Sequence, residues 1–237
     1  FDKAIKQFLV FNRRFKGMIG SGLGIFASQQ GLPGYSFQQA LPFNGIDQFV
    51  SLPFALTSSV QTISAWVKFN NFVGNPTILG GNNLTDFFRY QDFAQRLQVR
   101  SGAGNNNNFS VPALISNTWY HVLYADNGSQ GRLFLNGVES SSGAQSTGSA
   151  YDWSTIGTQI GLNFLDGVLD DVLLTNTYGN PVTESAAIYN GGAGADPLSV
   201  IPTAQQLYRF NNNTNNDGSL GGAATLNNFP PNPYLPH

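Results

Sequence analysis

The chain has 237 residues and a formal net charge of −2, and only 10% of its residues are charged, against about 25% in an average soluble domain. It has no Cys and only two His, His121 and His237, which excludes disulfides, thiolate nucleophiles and Cys-ligated zinc and leaves little for a His-based relay. Hydrophobic residues at 41% and aromatic residues at 13% supply a core, no apolar run reaches the roughly 18 residues of a membrane span, and no overall basic field favours nucleic acid.

The charge is unevenly placed. Lys3, Lys6, Arg13, Arg14 and Lys16 are five of the eleven basic residues, with Asp2 the only acid among them, so the first sixteen positions carry about +4. The remainder, six basic against twelve acidic residues, carries about −6. Ile5, Phe8, Leu9, Asn12 and Phe15 follow helical spacing, with Phe11 and the cations mostly between them. The expectation is a short basic amphipathic arm that docks on an acidic protein partner through Lys3, Lys6, Phe8, Phe11, Arg13, Arg14 and Lys16. Packing on its own domain or a neighbouring subunit, and a membrane surface, are the alternatives. Gly17 to Gly24 follows; Gly20-x-Gly22 lacks the third Gly of a dinucleotide fingerprint and no strand precedes it, so it reads as a linker. Residues 1–35 are therefore assigned to arm and linker.

Beyond it, short alternating segments take over. Thr62 to Phe69 places Ile63, Ala65, Val67 and Phe69 on one face, and Arg96 to Arg100 places Leu97 and Val99 inward. Trp119 to Ala125 turns through Asn127 to Gly131 into Arg132 to Val138, a hairpin signal. Ser154 to Gly161 and Val168 to Leu174 read as further strands. Asn105 to Asn108 reads as a mobile loop tip. Glu184 to Tyr189 reads as a short helix capped by Asn190-Gly191-Gly192. Strands at this spacing predict an all-β, two-sheet antiparallel sandwich over residues 36–212. Residues 213–237, rich in Asn and Pro, read as an extended tail.

Five segments in order carry a resemblance: Leu41 to Val50, Thr62 to Lys68, Asn117 to Val122, Leu133 to Val138, and Asp166 to Leu174. Together they resemble the laminin-G/pentraxin-like branch of the concanavalin A-like lectin/glucanase superfamily, over roughly residues 36–190. The resemblance implies a jelly roll of the kind found in secreted adhesins and in phage virion proteins. It departs at Asn44, where Asp is usual, and at Leu169, where Ile is common. No cofactor is expected; Ca²⁺ is the one ion the resemblance leaves open, with Asp47, Asp166 and Asp170 as candidate ligands. Strand alternation puts Asp170 and Asp171 on opposite faces, so the competing expectation is that Asp47 and Asp170 bond turn backbone instead.

Catalysis is not expected. Related glycosidases need two carboxylates in a Glu-x-Asp-x-x-Glu strand, and the only glutamates, Glu139 and Glu184, lie outside such a motif. His121 reads as a structural His inside the sandwich, and Trp66 and Trp119 as core. Glycan recognition needs an aromatic face beside amides or carboxylates, which singles out Tyr151, Asp152 and Trp153, with Asn83, Phe88, Asn108 and Phe109 in neighbouring loops. The function expected from the resemblance is a non-enzymatic virion structural or attachment protein of a phage, latched to other virion or surface proteins by arm and tail, and homo-oligomeric or part of a larger assembly. A cell-surface glycan is the candidate ligand, and a secreted bacterial carbohydrate-binding module or adhesin is the alternative.

Overall fold

The computed structural model describes residues 38–102, 106–140, 144–145 and 148–236. The expected docking arm, Lys3 to Lys16, and its linker lie outside these. In chain order the strands are β1 (Gln39–Asn44), β2 (Phe49–Ser58), β3 (Val60–Phe69), β4 (Thr77–Gly80), β5 (Phe87–Gln91), β6 (Arg96–Arg100), β7 (Asn106–Ser110), β8 (Trp119–Asn127), β9 (Gln130–Leu135), β10 (Val138–Glu139), β11 (Ala144–Gln145), β12 (Tyr151–Ile156), β13 (Asp166–Thr175), β14 (Gln206–Tyr208), β15 (Thr225–Asn227) and β16 (Leu235–Pro236). Helices α1 (Pro181–Tyr189) and α2 (Pro197–Val200) lie between β13 and β14.

Two antiparallel sheets result. One runs β10-β9-β8-β3-β13-β1-β16, with β11 also on β9 and β14 also on β13; the other runs β15-β2-β12-β4-β5-β6-β7. The expected jelly-roll sandwich is what forms: strands such as β3, β6 and β7 put alternate residues into the core between the sheets, whereas β8 and β13, covered on both faces, are buried along almost their whole length. Ile63, Ala65, Val67 and Phe69 of β3 meet Phe88, Tyr90, Leu97, Val99, Phe109, Tyr151 and Trp153 from the opposite sheet in one core. The turns follow their sequences. Gly128, φ 86°, opens the two-residue β8–β9 loop, and Asn136 and Gly137, at φ 51° and 76°, join β9 to β10. These are the positive-φ positions that tight hairpins demand.

A second, smaller core lies on the other side of the first sheet. Leu123, Ala125, Phe134, Leu173 and Leu207 pack there with Ile188 of α1. His121 and Trp66 face each other across β8 and β3, on this helix-covered side, so His121 lies beneath α1 and not between the sheets. Trp66 stacks on Tyr189 of α1 at 5.9 Å. Trp119 is only half-buried, with the Lys68 ammonium 5.2 Å from its ring. Asn180 caps α1 by accepting from the Thr183 N–H, and Asn190 ends it at φ 47°.

Three local expectations are corrected. The strand expected at Ser154 to Gly161 is β12, three residues earlier, ended by Gly157 at φ 85°. Asn106 to Asn108, expected in a loop tip, belong to β7. The segment 213–236, expected as a tail, runs along the sandwich: β15 pairs with β2, β16 with β1, and the Phe229 ring meets Phe43 edge-on at 5.4 Å.

Candidate functional site

Four of the seven residues expected to touch glycan do not reach the surface. Phe88, Phe109, Tyr151 and Trp153 are fully buried in the core between the sheets, and a ring with no exposed face cannot stack on a sugar. Their neighbours in sequence point outward by the same alternation. Tyr151 anchors a polar knot instead. Its hydroxyl lies 2.8 Å from that of Tyr124 and donates to Asp126 Oδ2 at 3.2 Å, while Asn107 Nδ2 donates to Tyr124 at 2.8 Å. Burial, together with Tyr151 and Asp126, pushes the Tyr124 phenol well above its ordinary range.

Asn83 and Asp152 do come together, at the sandwich end where β4 passes to β5. Their hub is Asp86, which the sequence reading missed. Asp86 Oδ2 accepts from Asn83 Nδ2 at 3.0 Å and from the Asp152 N–H at 3.1 Å, and its Oδ1 accepts from the Gly102 N–H. Asp152 in turn accepts from Asn82 Nδ2 at 3.1 Å. These bonds tie the β4–β5 loop and the turn after β6 to the start of β12 and leave the Asp86 carboxylate hydrogen-bonded at both oxygens. Asn108 is elsewhere, on the outer face of β7 opposite Gln98.

The candidate metal ligands are not gathered. Asp166 accepts from Asn70 Nδ2 at 2.8 Å and from Asn71 Nδ2, and Asp47 accepts from Asn44 Nδ2 at 2.9 Å. Asp170 lies four residues along β13 from Asp166, about 13 Å at strand rise, and accepts from the Asp171 N–H at 2.8 Å. Asp170 and Asp171 straddle a bulge, with Asp171 at φ 47°, so simple alternation does not hold there. Burial pushes both carboxyls up, Asp171 to about 7 against the opposing pull of Arg209. Among the described residues no three His, Cys, Asp or Glu side chains converge on one point.

The candidate catalytic groups are equally dispersed in role. Arg132 grips Glu139 with two hydrogen bonds of 2.7 and 2.5 Å. Glu184 reaches back from α1 to accept from the Asn180 N–H at 3.2 Å. His121 Nε2 sits 2.8 Å from Ser64 Oγ, but both residues are sealed under α1. Burial pushes the His121 imidazole down to about 3, so it is neutral at physiological pH.

An open pocket of about 310 Å³ lies at the opposite end of the sandwich from Asp86, lined by Asn70, Asn71, Phe72, Val73, Asp92 and Ser116. The Asn70 and Asn71 amides are held by Asp166, and Asn71 Oδ1 accepts from the Val73 N–H at 3.0 Å, which fixes the loop after β3. Phe72 is half-buried, its ring 5.1 Å from that of Tyr90. Val73 and Phe93 stand out at 84% and 83% exposure. A ring edge, amides, a carboxylate and a hydroxyl around a shallow opening can hold a sugar by stacking and by hydrogen bonds to its hydroxyls. The sequence signal was the amide-aromatic run Asn70-Asn71-Phe72 directly after a confident strand; Asp92 and Ser116 could only be added by the fold.

An antiparallel sandwich with an open polar pocket between strand ends is the architecture of a lectin-like domain. The family model described as the concanavalin A-like lectin/glucanases superfamily, of laminin G type, matches residues 44–181. The chain belongs to this family. No curated protein matches the sequence. Among solved structures, a candidate carbohydrate-binding protein from Bacteroides ovatus is similar at 18% identity and TM-score 0.61, over 81% of this chain and 60% of that one. The heptameric SAP-like pentraxin from Limulus polyphemus is similar at 16% identity and TM-score 0.51, over 65% of this chain and 82% of that one. The chain thus spans less than two thirds of the Bacteroides protein.

Proposed function

We propose that this is a non-catalytic carbohydrate-binding domain whose sugar site is the pocket between Phe72, Asn70 and Asp92. The observation that carries the reading is the convergence of a half-buried ring, a clamped pair of amides, a carboxylate and a hydroxyl around one opening. The likeness in fold to the candidate carbohydrate-binding protein of Bacteroides ovatus supports it. Ser116 is exposed at the rim, so Ser116→Arg blocks the opening without entering the core. A glycan-array signal from the full chain is expected to fall at least about tenfold in this variant, the loss of one well-placed contact set, with an unchanged melting temperature. An equal signal from the variant, or no signal from the parent on any glycan, would count against the pocket.

We further infer that the domain is displayed on a larger assembly, a phage virion surface being the favoured setting and a secreted adhesin the other. The support is the charge asymmetry between the basic first sixteen residues and the acidic remainder, which suits an arm that attaches and a body that stays outside. Deleting residues 1–16 is expected to leave the thermal unfolding of the body unchanged and to abolish incorporation into particles. Normal incorporation of the truncated chain would remove this reading while leaving the pocket untouched.

A further inference from the structure

Three of the six basic residues that follow the arm, Arg89, Arg96 and Arg100, lie on one face. Strands β5, β6 and β7 are in register as Phe87↔Arg100↔Asn106, Arg89↔Gln98↔Asn108 and Gln91↔Arg96↔Ser110. Their alternate residues, Phe88, Tyr90, Leu97, Val99 and Phe109, are all in the core. The remaining set therefore covers the outer face of the sheet, a lattice of arginines and amides. Adjacent strands are about 4.8 Å apart and alternate residues about 6.8 Å, so Arg89 stands roughly 8 Å diagonally from both Arg96 and Arg100.

Two of these guanidiniums, Arg89 and Arg96, are braced, but by neutral acceptors. Arg89 Nε donates to Gln98 Oε1 at 3.1 Å and its Nη1 to Gln159 Oε1 at 3.4 Å. Arg96 Nε donates to Gln91 Oε1 at 2.6 Å. The acceptors are fixed in turn: Gln98 donates to Asn106 Oδ1 at 2.9 Å, and Asn163 donates to Gln159 Oε1 at 2.9 Å. Arg89 also lies 4.0 Å over the Phe87 ring. Among the described residues the ion pairs are made by Arg132 and Arg209, and none by these three. Amide oxygens orient a guanidinium without cancelling its charge. Burial, then the Arg96 and Arg100 charges, push Arg89 below its ordinary value, as expected where cations share a face without an acid.

We propose that the outer face of β5–β6–β7 is a second binding surface, specific for an anionic glycan whose carboxylate or sulfate groups are gripped by Arg89, Arg96 and Arg100. Arginine forks match the two oxygens of such groups; Gln91 and Gln98 are buried beneath them as braces, and exposed Asn106 and Ser110 of β7 are the polar groups beside the arginines that can meet hydroxyls. The sparse charge of this face disfavours a nucleic acid. Duplex DNA carries a charge about every 1.7 Å, whereas this face offers three cations on a body of charge about −6, and Phe87 is buried under Arg89 and gives no platform for a base. That the anion is a glycan rests on the function proposed above; the arginine face itself does not involve the pocket.

The test measures binding of the full chain to immobilised polygalacturonate, sulfated dextran, neutral dextran and a single-stranded oligonucleotide, at low and physiological salt. Binding to an acidic polysaccharide that weakens with salt is expected, and should fall at least about tenfold in the Arg89→Gln/Arg96→Gln/Arg100→Gln variant, since charge-assisted contacts are removed. The two acidic polymers distinguish carboxylate from sulfate. Should loss of Arg89 impair folding, Arg96→Gln/Arg100→Gln serves alone, because Arg89 alone of the three bridges to Gln159 outside the three strands and lies over the Phe87 ring. Binding unaffected by these changes, no binding to either acidic polymer, or equal binding to the oligonucleotide would overturn the proposal. Ser116→Arg separates the two sites: it is expected to spare the acidic polymers, and the arginine variants are expected to spare any array glycan that Ser116→Arg loses.

Discussion

Trp153→Ala is expected to lower the unfolding free energy by about 3–5 kcal/mol, the range for removing a large buried ring. Trp153 is fully buried and stacks on Tyr151 at 5.4 Å with 14° between the rings. Its Nε1 donates to Gln61 Oε1 at 2.5 Å, and Gln61 is itself fully buried on β3. Truncation therefore opens a cavity between the sheets and also strands the Gln61 oxygen, adding about 1–3 kcal/mol if no water enters. Trp153→Phe keeps much of the volume and should cost less than Trp153→Ala. Urea unfolding followed by far-UV circular dichroism checks this. A midpoint unchanged in Trp153→Ala, with glycan binding lost, would restore the surface role that its sequence context suggested.

Acidification is expected to destabilise the fold through His121. An exposed imidazole titrates near 6.5, whereas burial holds His121 down to about 3. The unfolded chain therefore binds a proton that the folded chain refuses. The resulting stability is fully present above about pH 6.5 and is lost as pH falls toward 3, by about 2 kcal/mol between pH 7 and 5 and at most about 5 kcal/mol overall. Asp170, Asp171 and Glu184 act with the opposite sign, because burial raises their carboxyls and protonation then favours the fold. The difference between the parent and His121→Gln isolates the imidazole. The variant should lose less stability than the parent between pH 7 and 5; parallel curves would mean that the folded imidazole titrates normally.

Readability in the sequence followed the type of signal. The hairpin turns at Gly128 and at Asn136-Gly137 were readable because so few residues adopt positive φ. The strand faces of β3 and β6 were readable because apolar and polar residues alternate through β6 and, Trp66 apart, from Thr62 to Phe69 of β3. Tyr151-Asp152-Trp153 was misread because two aromatics around a carboxylate look alike whether the rings face a ligand or a core. Asn106-Asn107-Asn108 gives the sharper case. Three identical residues have different fates: Asn107 turns into the knot with Tyr124, while Asn106 and Asn108 share the outer face with the arginines. The outward members of Arg96 to Arg100 were implied as soon as Leu97 and Val99 were assigned inward, and they are the residues of the second proposed surface.

The low charge of the chain thus resolves into placement. The sequence alone determined an all-β sandwich, its family motifs and the absence of thiol chemistry, because alternation, turn residues and composition are local properties of the chain. The tertiary structure alone decided which face of β7 and β12 is buried, how β15 and β16 return to the sheets, and that positions 70–73, 92 and 116 surround one pocket. It also set Arg89 between Arg96 and Arg100 through the register of two strands. Register and sheet-on-sheet packing depend on residues far apart in the chain, and no local pattern encodes them.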